Sequence, residues 1–405
     1  MVNDCSVCGY RMDVINLISK DQRFLDAEET MTSGENGKKA KYHPGGKWYT
    51  NRPRLQEYLQ EIKREVLAPY DAVSVGEMPG VSDVDKILAI VHQESGPLKM
   101  IFIFDIVDID NVPGQGRMAM KEWKVNDLVE AIAKWQKAMF KGNGWNSVFI
   151  ENHDNPRSVS RYCNDSDQWR ERGAKLLALM QTTLGGTLFV YQGEELGMRN
   201  VPQSWDVSEY KDVEAINFWT KSLELHDGDD EALQKAREVL DRKARDHART
   251  PMQWDASLHA GFCSNDVKPW MRVNDDYPSV NAQVQIEANL EGDLSVFQYW
   301  QRGLANRKTH ADVFVHGEFE LLDNGETQNV FSYTRAGRGG EKWMIVLHFG
   351  EEDIGWDIPG SVIIEGWMAG NYIKGKPNKA TKGKVILNPW EGLLAKCVSV
   401  PIDNP

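Results

Sequence analysis

The chain has 405 residues, 41% of them apolar and 26% charged, with a net charge of −13. That is long enough for one large domain and a small one, and too acidic to present the basic face that nucleic-acid binding needs. Five scattered cysteines, an odd number, give no disulfide framework and favour a reduced, cytoplasmic protein, and neither a signal peptide nor a membrane-length apolar run is present.

In chain order, strand-like apolar runs at 9–13, 73–75, 100–104, 147–150 and 187–191 alternate with helical faces. Leu55, Tyr58, Leu59, Ile62 and Val66 recur at helical spacing, as do Val84, Ile87, Leu88 and Val91, for which Ser82 is the expected N-cap. Leu128, Ile132, Trp135 and Met139 make a third face, and Leu176, Leu177, Met180 and Leu184 a fourth. Strands alternating with helices, with few tight hairpins, predict parallel pairing through helical crossovers, hence an α/β sheet or barrel. After a helical stretch at 294–306 the texture changes. Short β-like runs at 314–322, 330–333, 343–348 and 362–363, separated by Gly, Asn and Asp, predict a small antiparallel domain. The expected organisation is 1–312 and 313–405, with exposed loops at 34–41 and 225–231.

Charged residues stand where the strand-like runs end. Asp13 follows Gly9-Tyr10-Arg11-Met12, Glu77 follows Ser74-Val75-Gly76, and Asp154 closes Ile150-Glu151-Asn152-His153. In a parallel barrel the side chains leaving the C-terminal strand ends converge on one face, so three carboxylates on three strand ends are expected in one cluster. Acidic residues also cap the helices that follow strands, and periodicity alone does not separate the two readings.

Five segments do. GYRMDVIN, VGEMPG and ENHDNPRSVSR, followed by FVYQGEELGM and RDHARTPMQWD, resemble in this order the fourth, fifth, seventh and eighth barrel strands and a downstream segment of the α-amylase clan (glycoside hydrolase family 13). The resemblance is to its oligo-1,6-glucosidase and maltase subgroup. It implies a (β/α)8 TIM barrel followed by a small antiparallel β-domain, and a retaining α-glucosidase acting on short oligosaccharides. Carried over by motif, it implies Asp13 as nucleophile, Glu77 as general acid/base and Asp154 as the carboxylate that steadies the transition state. Arg11 then holds Asp13 ionised, His153 bonds sugar hydroxyls, and Arg249 makes a further sugar contact, with Arg245 as its rival. Val14, next to the nucleophile, goes in this subgroup with α-1,6 cleavage, where a threonine goes with maltose.

The chemistry needs these residue types. An ionised carboxylate attacks the anomeric carbon while a protonated one supplies the leaving oxygen's proton, their carboxyl groups roughly 5–5.5 Å apart, so the two environments must differ. A sucrose isomerase or trehalose synthase of the same subgroup shares all three carboxylates, and a non-catalytic binding relative normally loses one.

The chain departs from the family pattern at its start. It begins immediately before the fourth strand, so the expected fold is an incomplete barrel of strands 4–8, unstable or inactive by itself because an open barrel exposes an edge strand. The subgroup's calcium-type loop has no counterpart. Cys5-x-x-Cys8 lacks a second ligand pair at zinc spacing. No metal and no cofactor is therefore expected, and the expected partner is an oligosaccharide bound to a monomer.

Overall fold

The computed structural model describes residues 8–28, 43, 45–288, 293–325, 327–372 and 375–400. Cys5 and the expected loop at 34–41 lie outside them. The chain divides into two compact units, Met1–Asp108 with Lys134–Ser147, and Ile109–Ala133 with Val148–Pro405. Among the described residues no helix is long and apolar enough to cross a membrane.

In the first unit β1 (Gly9–Met12), β2 (Val73–Glu77) and β3 (Met100–Phe102) pair in parallel in the order β1-β2-β3. Ile101 adds a parallel bridge to Asn146. The crossovers carry α1 (Leu55–Ile62) and α2 (Val84–Val91), and α3 (Val125–Lys141) contributes its residues from Lys134 onward. Their apolar faces meet the sheet in one core in which Leu59, Ile87, Val91 and Ile101 have no exposure. Burial of each such side chain contributes about 1.5–3 kcal/mol. At Gly76 in β2, an added Cβ would lie 2.8 Å from Leu98 Cδ1 and 2.9 Å from Ile15 Cγ2, so only glycine lets these side chains close over the strand.

Two sequence expectations are corrected here. The face that begins at Leu55 does not continue to Val66. A π-helical turn, Lys63–Leu67, follows α1, and its wider spacing rotates Val66 out to 38% exposure while Leu67 is buried. The N-cap of α2 is Asp83, which accepts from the Lys86 amide. Ser82 instead donates to Asp105, a carboxylate that also binds Lys134 and the Trp135 indole.

In the second unit Val148, the last residue of β4 (Ser147–Val148), accepts from the amide of Phe189, just beyond β5 (Thr187–Leu188). Helices α4 (Ser158–Tyr162) and α5 (Arg170–Thr183) lie between these strands, and α6 (Val213–Leu225), α7 (Asp230–Lys243) and the short α8 (Asp246–Arg249) follow β5. α5 is buried continuously from Gly173 to Thr183, as suits a central helix. The expected loop at 225–231 narrows to 226–229, because Asp229 caps α7 at its Ala232 amide.

α9 (Val296–Thr309) opens on a Ser295/Gln298 capping box and leads into β6 (Glu318–Leu321), β7 (Val330–Ala336), β8 (Lys342–His348), β9 (Ile354–Asp357), β10 (Val362–Gly370), β11 (Lys384–Leu387) and β12 (Gly392–Ser399). They form an antiparallel five-stranded sheet, β10-β12-β8-β7-β6, and a β11-β9 pair. Phe314, expected in a strand, sits fully buried in the helical turn Ala311–Phe314. The sheet is pinned to α5 by a 2.6 Å bond between the Tyr333 and Thr183 hydroxyls.

Candidate active site

The first unit brings together Asp13, Glu77, Arg11 and Val14. Met12 pairs with Gly76 across β1 and β2, so Asp13 and Glu77 emerge at neighbouring strand ends. Arg11 bridges them: one guanidinium nitrogen pairs with Asp13, and Nη2 lies 2.8 Å from Glu77 Oε2. The expected Arg11–Asp13 pair is therefore one arm of a two-carboxylate clamp. The two acids differ in setting, with side chains 71% exposed for Asp13 and 7% for Glu77. Burial pushes the Glu77 carboxyl above its ordinary range, and its hydrogen bond with Asp13 adds to the effect. The Arg11 charge and the Val14 amide oppose it. That amide lies 3.3 Å from Glu77 Oε2. It is aimed there by a left-handed backbone at Val14, φ 35° and ψ 46°, a conformation β-branched residues avoid. Asn16, buried, fixes the turn by donating to the Pro79 carbonyl at 2.9 Å.

The second unit brings together His153, Asp154, Arg249 and Arg245. An Asx turn sets the segment, with Asn152 Oδ1 accepting from the Asp154 amide at 2.9 Å and from Asn155 Nδ2 at 2.8 Å. Arg249 reaches Asp154 Oδ1 at 2.8 Å through Nη2, the His153 carbonyl at 2.8 Å through Nε, and Asp212 at 2.7 Å through Nη1. Arg245 stands further off, 3.6 Å from the same Asp154 oxygen, and is shared with Glu214. Arg249 thus serves as a tether for Asp154, while the half-exposed His153 ring places Nε2 3.3 Å from Asp154 Oδ2.

Sequence reasoning missed Asp212, the buried N-cap of α6 that anchors Arg249. Its signal was Asp212-Val213-Glu214 at the head of a helical pattern. It also missed the support behind His153–Asp154, where Arg157 Nη1 binds Glu151 at 2.8 Å and the Gln192 carbonyl at 2.7 Å. A cavity of about 860 Å³ in this unit is lined by Asp110, Trp123, Arg161 and Arg199 among others, but by none of the predicted site residues. Among the described residues no cluster of three or more His, Cys, Asp or Glu is arranged to hold a metal, and Cys8 is exposed.

The model of the α-amylase catalytic domain matches residues 1–317. The chain belongs to the α-amylase family. Among its relatives, the α-glucosidase of Schizosaccharomyces pombe is 40% identical over 97% of this chain and 65% of its own length. The oligo-1,6-glucosidase of Parageobacillus thermoglucosidasius is 38% identical over 97% and 66%. The trehalose-6-phosphate hydrolase of Bacillus licheniformis superposes with a TM-score of 0.81 at 32% identity, over 96% of this chain and 65% of that one. The isomaltulose synthase of Erwinia rhapontici NX5 superposes with a TM-score of 0.83 at 32% identity, over 98% and 66%. The chain spans about two thirds of the length of these relatives. Its fold is the TIM barrel of the family with a C-terminal antiparallel sheet, the coarse architecture expected from sequence.

Proposed function

We propose that the protein is a retaining α-glucosidase that releases glucose from short α-linked oligosaccharides by double displacement. The supporting observation is the clamp at the ends of β1 and β2: two carboxylates on one arginine, one exposed beside the cation and one buried with its proton affinity raised. Asp13 attacks the anomeric carbon while Glu77 gives its proton to the leaving oxygen, leaving a covalent glucosyl ester. Glu77, now a base, deprotonates the water that breaks the ester and regains its proton. Asp154 is the carboxylate that steadies the developing positive charge, with His153 on the sugar hydroxyls and Arg249 on Asp154. Val14 favours α-1,6 over α-1,4 links. In this proposal residues 1–312 supply strands 4–8 of the barrel, 313–405 form the β-domain, and the protein works as a cytoplasmic monomer.

The test is hydrolysis of isomaltose and maltose by the Asp13→Asn and Glu77→Gln variants. D13N is expected to bind substrate and not turn it over. E77Q is expected to regain turnover on an aryl glucoside with azide, which needs no acid and no base. Undiminished turnover by D13N ends the proposal. The isomaltulose synthase neighbour motivates a second reading, glucosyl transfer within the active site. A rearranged disaccharide in place of free glucose would favour it.

A further inference from the structure

The second unit buries two glutamates around one arginine behind the segment that carries His153 and Asp154. The side chains of Glu151 and Arg157 are 0% and 1% exposed. Glu151 is fully satisfied: Arg157 Nη1 lies 2.8 Å from one oxygen and the Ser158 amide 2.7 Å from the other. Arg157 also donates through Nη1 to Gln192 O at 2.7 Å and through Nε to His247 O at 3.2 Å. Glu194, only 4% exposed, receives nothing from it. Its hydrogen bonds are to Gln181 Nε2 at 2.6 Å and the Tyr191 amide at 3.0 Å. Among the described residues no cation forms an ion pair with it, while the Glu151 carboxylate faces it as a like charge.

Two carboxylates and one guanidinium leave one negative charge too many for a dry interior. The remedy is a proton on Glu194, because a neutral carboxylic acid takes no charge into the interior. The remaining charged or titratable groups nearby do not supply a counter-charge. Glu195, on the same loop, accepts from the Gly193 amide at 2.7 Å, and Arg170 of α5 is spent on the carbonyls of Leu196 and Gly197. His247 is neutral, burial dropping its pKa to about 4.

We propose that Glu194 is kept as a neutral carboxylic acid at physiological pH, a positioning residue whose proton leaves Arg157 to Glu151. The Glu151–Arg157 pair, with Glu151 on the Ser158 amide, fixes the turn from β4 into α4 on which His153 and Asp154 are carried. An ionised Glu194 competes for Arg157, which already holds Gln192 on the same loop, and loosens that turn. Burial first, and then the Glu151 charge, push the Glu194 carboxyl well above the ordinary range. An acid that binds its proton more tightly folded than unfolded loses stability as pH rises from the unfolded carboxyl value to the folded one.

The test is denaturant unfolding of the wild-type protein and of Glu194→Gln, a neutral isostere, from pH 4.5 to pH 9. The folding constant of E194Q relative to wild type is expected to grow by up to about tenfold per pH unit and to approach parity at the acid end. A constant offset at every pH overturns the proposal. Should E194Q fail to fold, infrared spectroscopy of ¹³C-glutamate-labelled protein asks the same question in an E77Q/E195Q background, which removes the other two glutamates held above their ordinary range among the described residues. A protonated glutamate band that survives at pH 8 supports the proposal, and its absence overturns it. Neither readout uses catalysis, so the outcome is independent of the proposed glucosidase activity.

Discussion

The two predicted carboxylate settings are built on opposite plans. At the ends of β1 and β2, one guanidinium is divided between two acids whose exposure differs tenfold, so a small change in the cation alters their relative proton affinity. Around Asp154 the ratio is reversed: one carboxylate is gripped by Arg249 and approached by Arg245, and Arg249 is itself anchored by Asp212. The first arrangement suits proton bookkeeping between a nucleophile and an acid. The second suits holding one carboxylate still.

Substitutions that strip one plan and spare the other sharpen the contrast. The largest effect is expected from D13N, a loss on the order of 10⁴–10⁶ in kcat on natural disaccharides. Arg11→Met comes next. It removes the cation that opposes the rise in Glu77's proton affinity, so the alkaline limb of kcat/KM moves to higher pH while kcat falls. An unmoved limb would show that Arg11 serves Asp13 alone. Arg249→Lys, which keeps the charge and loses the fork that spans Asp154, His153 and Asp212, is expected to lower kcat/KM by roughly 10–100-fold with no shift of that limb. Asp212→Asn, leaving Arg249 in place on a weaker anchor, should cost about tenfold.

How much of this was legible in the sequence follows from where the information sits. Strand ends drew attention to Asp13, Glu77 and Asp154, but helix caps look the same there, and it was the motifs around them that singled them out as candidates with Arg11 and His153. The contacts of Arg249 were not, since its partners are 37 and 95 residues away. Neither was the role of Glu194, which depends on a second glutamate and on an arginine already committed elsewhere. In the β-domain, β7 and β8 were found from their apolar runs, but β12 was missed. It lies between β10 and β8 with its first four residues buried. GLLAKCVS therefore lacks the two-residue alternation that marks a half-exposed strand. The π-helical turn after α1 was invisible for a related reason: an inserted residue leaves the composition unchanged and moves only the face.

The smallest expected effect separates side chain from backbone at position 14. If the linkage preference resides in the Val14 side chain, Val14→Thr lowers the isomaltose-to-maltose ratio of kcat/KM severalfold and leaves the pH profile alone, because threonine is also β-branched and is held in the same left-handed turn. Val14→Gly asks about the backbone. Glycine adopts φ 35° without steric cost, so the folded state should gain about 1 kcal/mol in denaturant unfolding. The same freedom lets the amide drift from Glu77 Oε2, where it now lies 3.3 Å away and lowers that carboxyl's proton affinity. V14G should therefore be more stable, slower, and active to higher pH. A V14G protein with the wild-type profile would mean that the strained turn serves the packing of Ile15 and Asn16 rather than the acid.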